Sequence, residues 1–260
     1  MPSDTTDSAA DDGDEPSELP DAVDGERAPA KDAIREYVWD DLEAEGVARF
    51  PFPPHGRIPN VAGASEAAAR LADQPEWRDA ATIKANPDAP QLPVRRQALR
   101  DGKRLLVAVP RLRSDAPFLE LDPAVIDDYD AATTVSGISG YGTPVTIDSL
   151  PEIDLIVSGS VAVTTAGDRI GKGEGYSDLE YAILAEHDCV DADTPVATTV
   201  HERQLVDAID AAPHDVGLSL LVTPDRTVRP ETVSRPDGLD WDRLPANRIE
   251  EIPVLSQLQP

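Results

Sequence analysis

Four near-continuous apolar runs set the first constraint on the fold. They are "RLLVAVP" (104–110), "IDLIVSGSVAVTT" (153–165), "TPVATTV" (194–200) and "GLSLLVTP" (217–224). Runs that are apolar at every position suit strands buried on both faces, and such strands occur where helices cover a parallel sheet on both sides. Helical patterns separate them. Ile34, Val38 and Leu42 recur at i, i+4, i+8 in "AKDAIREYVWDDLEAEGVA", one stripe ending near Gly46. "GASEAAARLAD" reads as a second helix and "PVRRQALRDGK" as another, ending at Gly102. The expected fold is α/β: one three-layer α/β/α domain with a mostly parallel sheet, over residues 28–235.

The ends read differently. Residues 1–27 carry ten carboxylates and few large apolar side chains, so they cannot bury enough surface to offset ordering entropy and are expected to form a disordered tail. Residues 236–260 contain Trp241, Leu244, Ile249, Ile252, Val254 and Leu255, and are expected to dock on the body with a frayed end. The whole chain holds 50 acidic and 23 basic residues, a net charge of −27. That surface disfavours non-specific nucleic-acid binding, which needs basic patches. It suits a salt-rich cytoplasm, where screening falls to roughly 3 Å at ~1 M salt; an acidic protein of ordinary habitat with a disordered tail is the alternative. A lone cysteine, Cys189, excludes a disulfide framework and is expected to be a buried spectator. With no signal-peptide pattern and no apolar run near the ~20 residues of a membrane span, a soluble cytoplasmic protein, monomeric and without membrane partners, is expected.

The densest chemical signal is "AGDRIGKGEGYSDLEYAIL" (166–184). It packs four glycines, an arginine and a lysine between an apolar strand and a helix with Leu179, Ala182 and Ile183 on its inner stripe. Strand, glycine loop and helix together present backbone N–H groups and a helix N-terminus to an anion. Two common phosphate loops fail here. From Gly167 to Gly171 is one residue short of G-x-x-x-x-G-K, and Gly173 follows Lys172 where a hydroxyl should stand. Gly171, Gly173 and Gly175 give G-x-G-x-G, with Tyr176 in place of the last glycine of G-x-G-x-x-G. Either the loop holds phosphates in another way, or it is a tight turn with solvated charges.

The pattern Arg169-x-Gly171-x-Gly173-x-Gly175-Tyr176-x-Asp178 resembles the nucleotide loop of the 5-formyltetrahydrofolate cyclo-ligase family, R-x-G-x-G-x-G-Y-Y-D. Lys31 and Arg35 resemble the family's K-x-x-x-R on its first helix, and "HERQLVDAIDAAPHDVGLSLLVTP" (201–224) resembles its glutamine segment, Pro-x-x-His-Asp-like turn and strand ending in Thr-Pro. The resemblance spans about residues 30 to 230. It implies the fold shared by the cyclo-ligases and the ribose-5-phosphate isomerase-like proteins, and Mg·ATP-dependent closure of 5-formyltetrahydrofolate to 5,10-methenyltetrahydrofolate with release of ADP and phosphate. In that chemistry the formyl oxygen attacks the γ-phosphorus, the 10-nitrogen closes the ring, and phosphate leaves, so no enzyme nucleophile is required.

Carried over residue by residue, the resemblance gives Lys31, Arg35, Arg169, Gly171, Lys172, Gly173, Gly175 and Tyr176 to ATP. Of these, Arg169, Lys172 and Tyr176 would serve catalysis. Asp178 and Asp215 would meet Mg²⁺, and His214 would shape the turn. Departures are clear as well: Ser177 replaces the family's second tyrosine, and Glu174 adds a carboxylate among phosphate ligands. Gln91 stands near a glutamate that the established enzymes place in the pterin region. "GKGEGYSDLEY" looks closer to the cyclo-ligase-domain-containing branch. A folate substrate would therefore meet Gln91 on its pterin edge, and Arg95 or Arg96 on its glutamate tail unless these arginines are merely solvated. Two other readings are a same-fold ATP-dependent enzyme for another substrate, and a nucleotide-binding regulatory module without turnover.

Overall fold

The computed structural model describes residues 30–259, so the expected acidic tail lies outside the described residues. The strands are β1 (Ala48–Arg49), β2 (Asn60–Val61), β3 (Thr82–Ala85), β4 (Arg104–Ala108), β5 (Phe118–Leu121), β6 (Thr143–Val145), β7 (Leu155–Val157), β8 (Ala162–Val163), β9 (Arg169–Ile170), β10 (Val196–Thr199), β11 (Leu220–Val222) and β12 (Thr227–Val228). The α-helices are α1 (Lys31–Ala44), α2 (Ala64–Ala72), α3 (Pro75–Asp79), α4 (Leu92–Arg100), α5 (Tyr129–Ala132), α6 (Val135–Tyr141), α7 (Tyr176–Glu186), α8 (Ala246–Glu251) and α9 (Pro253–Leu258).

Eight strands form the central sheet in the order β12-β11-β10-β7-β3-β4-β5-β6. The inner five, β11 to β4, run parallel, and antiparallel β12, β5 and β6 close the edges. The alternation of side chains across the pleat builds two cores. Leu105, Val107, Leu155 and Val157 face α2 and α4, with Leu71, Trp77, Val94 and Leu99 opposite them. Leu106, Ile156, Val196 and Leu221 face α7 and the C-terminal helices, against Tyr181, Ile183, Leu184, Ile252, Val254 and Leu255. The expected α/β/α sandwich with a mostly parallel sheet is present. Among the described residues no helix is long and apolar enough to cross a membrane.

Local sequence explains the helix boundaries. Ile34, Val38 and Leu42 are buried as their spacing requires, and α1 stops before Gly46, whose φ of +63° a side chain would oppose. Gly63 opens α2 at φ +78°, and a Cβ there would stand 2.4 Å from Pro224. Cys189 is buried, and burial raises its thiol pKa.

Three expectations need correction. The run 153–165 is not one strand: β7 ends at Val157, Ser158 to Ser160 leave the sheet, and β8 belongs to a separate hairpin with β9. Gln204 holds the departing segment, donating to the Ser160 and Val161 carbonyls at 3.0 and 3.1 Å, while Ser160 Oγ lies 2.8 Å from Thr198 Oγ1. The glycine loop consequently follows hairpin arm β9 rather than a strand of the central sheet. Finally, β3 (TIKA), buried at every position in mid-sheet, was not among the four expected strands, because Lys84 interrupts its apolar pattern.

Candidate functional site

From β3 the chain moves outward to β4 on one side, whereas β7, β10 and β11 extend the sheet on the other. The crevice outside the carboxyl ends of such diverging strands is where open α/β sheets bind ligands. Asn86, directly after β3, bridges it: its Oδ1 accepts the Gly159 N–H beyond β7 at 3.2 Å, and its Nδ2 donates to Ser177 Oγ in α7 at 3.1 Å. A cavity of about 430 Å³ opens there. Its walls are the ends of β3 and β4, the glycine loop, the start of α7, Lys31 and Arg35 of α1, and His214–Asp215. Gly159 permits the close approach behind it, since a Cβ would meet Ile58 at 3.1 Å and Asp88 Oδ2 at 3.4 Å.

The glycine loop runs from Gly171 to Gly175. Gly173 and Gly175 have φ of +108° and +70°, which glycine alone adopts freely. A Cβ at Gly173 would also lie 3.6 Å from the Arg35 guanidinium. Arg35 Nε donates to the Gly171 carbonyl at 2.7 Å, which fixes the loop against α1. Gly175 serves as N-cap of α7 without a side-chain cap bond, leaving the first N–H groups of that helix open to a ligand.

Charge in the cavity is balanced in pairs. Lys31 is ion-paired with Asp215, and Arg169 with Asp178. Lys172 Nζ is 2.8 Å from Glu174 Oε2, and Arg111 Nη2 is 3.9 Å from Glu174 Oε1. Asp178 Oδ1 also accepts the Val216 N–H at 3.0 Å, and Asp215 Oδ2 the Ala212 N–H at 2.7 Å. Both aspartates thus line one cavity, although they are far apart in sequence. His214 is half-exposed beside Asp215 at 3.8 Å. Among the described residues no group of three His, Cys, Asp or Glu side chains forms a metal cluster.

Two expected substrate contacts are placed elsewhere. Gln91 is 1% exposed and lies behind the cavity, where its Oε1 accepts the Asn86 N–H at 2.7 Å. Arg95 is fully buried: Nη1 donates to the carbonyls of Asn86 and Asp88 at 2.7 and 2.9 Å, and Nε to that of Thr133 at 3.0 Å. Burial lowers its pKa to about 10. Both residues shape the 86–88 turn from behind, so the expectation that they touch substrate is corrected. Their position in α4 and the turn before it faces the core, which period and composition alone did not reveal. Arg96 pairs with Asp130 at 3.0 Å, also away from the cavity.

Other residues line the cavity in their place. Asn86 and Asp88 line the cavity, and burial raises the Asp88 carboxyl pKa despite Lys172, Arg95 and Lys84 nearby. Glu180 also lines it and forms a buried ion pair with Lys84, at 5% and 1% exposure. A lysine within "TIKANPD" and a glutamate on the apolar side of α7 were the available signals, each calling for a buried partner.

This site can be set beside known proteins. The sequence pattern of the 5-formyltetrahydrofolate cyclo-ligase family matches residues 28–224, which include every residue of the cavity walls. The chain belongs to that family. Among its relatives, the methenyltetrahydrofolate synthase domain-containing proteins of Mus musculus and Bos taurus are each 41% identical, over 236 and 240 residues, covering 88% of this chain. The chain spans 63% and 62% of the length of those two relatives. A 5-formyltetrahydrofolate cyclo-ligase of Mycolicibacterium smegmatis is 30% identical over 131 residues, 49% of this chain and 63% of that one. A solved 5,10-methenyltetrahydrofolate synthetase of Aquifex aeolicus superposes with a TM-score of 0.49 at 17% identity, covering 77% of this chain and 93% of that one. The cyclo-ligase match ends before α8 and α9, so these helices lie outside the matched segment.

Proposed function

We propose that this cyclo-ligase family member closes 5-formyltetrahydrofolate to 5,10-methenyltetrahydrofolate with consumption of ATP. One observation carries the reading: Lys31 and Arg35 from the start of the chain meet Arg169, Lys172 and the glycine loop in a single cavity at the topological switch point. Four cations and an uncapped helix N-terminus suit a triphosphate. The remaining wall, with Asn86, Asp88 and Glu180, offers donors and acceptors to a polar heterocycle.

The pairing of charges suggests how binding proceeds. An arriving triphosphate competes with Asp215 for Lys31 and with Asp178 for Arg169. The carboxylates it displaces are hard oxygen donors of the kind that hold magnesium with phosphate oxygens and water. Asp178 and Asp215 would hold that ion, which when bound supplies charge neutralisation at the phosphates. The chain's own residues then act by positioning and electrostatic stabilisation. Lys31, Arg35 and Lys172 orient the phosphates, Tyr176 and the glycine amides border them, and Asn86 fixes the wall opposite.

A second reading, a nucleotide-binding module without turnover, is favoured by one feature: Glu174 already occupies Lys172 and approaches Arg111. The test is the appearance of the methenyl chromophore from 5-formyltetrahydrofolate, Mg²⁺ and ATP, alongside calorimetry with ATP. Binding with stoichiometric chromophore and phosphate is the expected result. ATP binding without either product would replace the cyclo-ligase reading with the module. Arg169→Ala and Lys172→Ala are expected to weaken ATP, and unchanged affinity in both would remove the loop assignment.

A further inference from the structure

Among the described residues, the one ion pair within the glycine loop is Lys172 with Glu174, which leaves its backbone to be held from outside. Alternate positions are glycine, and glycine loses the most conformational freedom on being fixed. Two arginines from opposite ends of the chain hold it instead. Arg35 of α1 takes the carbonyl of Gly171. Arg248 of α8 takes the carbonyl of Glu174 at 3.1 Å, and its guanidinium lies 4.6 Å from the ring centroid of Tyr176, the first residue of α7.

The helix that carries Arg248 also grips a second wall of the cavity, the one whose Arg111 approaches Glu174 of the loop. Glu251, one turn further on, pairs with Arg113 at 2.8 Å, and that arginine holds the Glu251 carboxyl below its usual pKa. Gln257 of α9 donates to Asp115 at 3.4 Å. Arg113 directly follows the Val109–Leu112 turn, in which Arg111 and Leu112 take φ of +57° and +54°. Val109, Pro110 and Arg111 form the cavity wall there. Left-handed backbone at two consecutive non-glycine residues persists only where the surroundings impose it. The α8–α9 pair is itself anchored, because Ile252, Val254 and Leu255 are completely buried.

We propose that α8 and α9 act as a strut that sets the spacing between the glycine loop and the 109–113 wall, with Arg248 as a positioning residue for the loop. The inference rests on the reading of that loop as a phosphate cradle, and it assigns to the segment beyond the family match a part in assembling the site. A cation over an aromatic face and one hydrogen bond to a carbonyl together correspond to roughly a five- to fiftyfold change in the population of the ordered loop.

The test uses the full chain with Arg248→Ala and Arg248→Lys, and Arg243→Ala as a control from the same extension. Amide hydrogen exchange of the ligand-free protein is followed at residues 171–177, with Mg·ATP affinity measured by calorimetry. Arg248→Ala is expected to speed exchange in the loop five- to fiftyfold and to weaken ATP by a similar factor. Protection in β3, β4 and β7 should remain as in the wild type. Arg248→Lys should recover part of both effects, and Arg243→Ala should show neither. Wild-type loop exchange in Arg248→Ala would overturn the strut. So would uniform loss of protection across the sheet, which would make Arg248 a folding residue. Tyr176→Leu supplies an independent check, since its effect and that of Arg248→Ala must be non-additive; additive effects would also overturn the proposal. If the loop loosens as expected while the wild-type protein binds no ATP, the strut stands and the functional reading falls.

Discussion

Removing Glu180 should cost more stability than removing its partner Lys84, although both belong to one ion pair. Lys84 sits in the central strand β3 at 1% exposure, and Glu180 sits in α7 at 5% with its side chain on the cavity wall. Glu180→Leu therefore leaves an ammonium group sealed in mid-sheet. Breaking a buried pair in this way costs about 3–5 kcal/mol. At ~2–4 °C per kcal/mol for a domain of this size, the expected fall in Tm is about 6–20 °C. Lys84→Met instead leaves a carboxylate that cavity water can reach, for which about 1–3 kcal/mol is expected. The double variant Lys84→Met/Glu180→Leu removes both charges and restores apolar packing, so it should lie within ~1 kcal/mol of the wild type. Equilibrium urea unfolding of the four proteins gives the cycle directly. The reasoning fails if Lys84→Met is the costlier single change. It also fails if the double variant is no more stable than Glu180→Leu.

Three further outcomes follow from the same site and surface. Asp88→Asn should raise Tm near neutral pH. Burial puts the folded carboxyl pKa above its ordinary 3.8, so wild-type stability from this group is present below that value and is lost as pH rises through the folded pKa. The gain should vanish below about pH 3.8, and a gain independent of pH would refute this origin. Gln91→Leu leaves the buried Asn86 N–H without its acceptor and should cost ~1–3 kcal/mol in urea unfolding; a cost under ~0.5 kcal/mol would show that the turn does not depend on it. With a net charge of −27, raising KCl from 0.1 to 1 M shortens screening from about 10 to 3 Å and should raise Tm; a flat or falling Tm would exclude self-repulsion as a significant term.

The parts of this protein that were legible in its sequence share a physical cause. Strands β4, β10 and β11 and helices α1, α2 and α4 obey one rule each, an apolar run or an apolar stripe bounded by glycine. The loop 171–175 was legible from its alternating glycines, two of which, Gly173 and Gly175, take positive φ that other residues resist. What stayed hidden depended on partners far away in the chain. Strand β3 reads poorly because Lys84 breaks its pattern, and only Glu180, 96 positions later, makes that lysine tolerable. The segment after the break at Val157 is held at Ser160 by Gln204 and Thr198, 44 and 38 positions later. Gln91 reads as a substrate ligand because it stands near the glutamate of the family's pterin region, and Arg95 because a guanidinium suits an anionic tail. Each instead bonds the backbone of residues 86–88 through one polar atom, Gln91 Oε1 and Arg95 Nη1, while Gln91 Nε2 and Arg95 Nη2 are buried without a hydrogen-bond partner among the described residues.

That contrast bears on how the site divides. The glycine-loop half uses backbone conformation and cations, features that keep a recognisable spacing wherever they occur. The opposite wall is built from one turn, Asn86–Asp88, whose shape is fixed from behind by Gln91 and Arg95 and from across the sheet by Gly159 and Ser177. Changing any of these supports moves the wall without touching a ligand, and Ser177 and Gln91 are two of the positions where the chain departs from the family pattern. Ser177 presents a short hydroxyl to Asn86, where the bulkier phenol of a tyrosine would project toward the same wall. The departures are therefore coupled through Asn86. Under the proposed function, substrate preference would follow from how that turn is held, and Asn86, which bonds to both sides of the crevice, is the position that would expose it most directly.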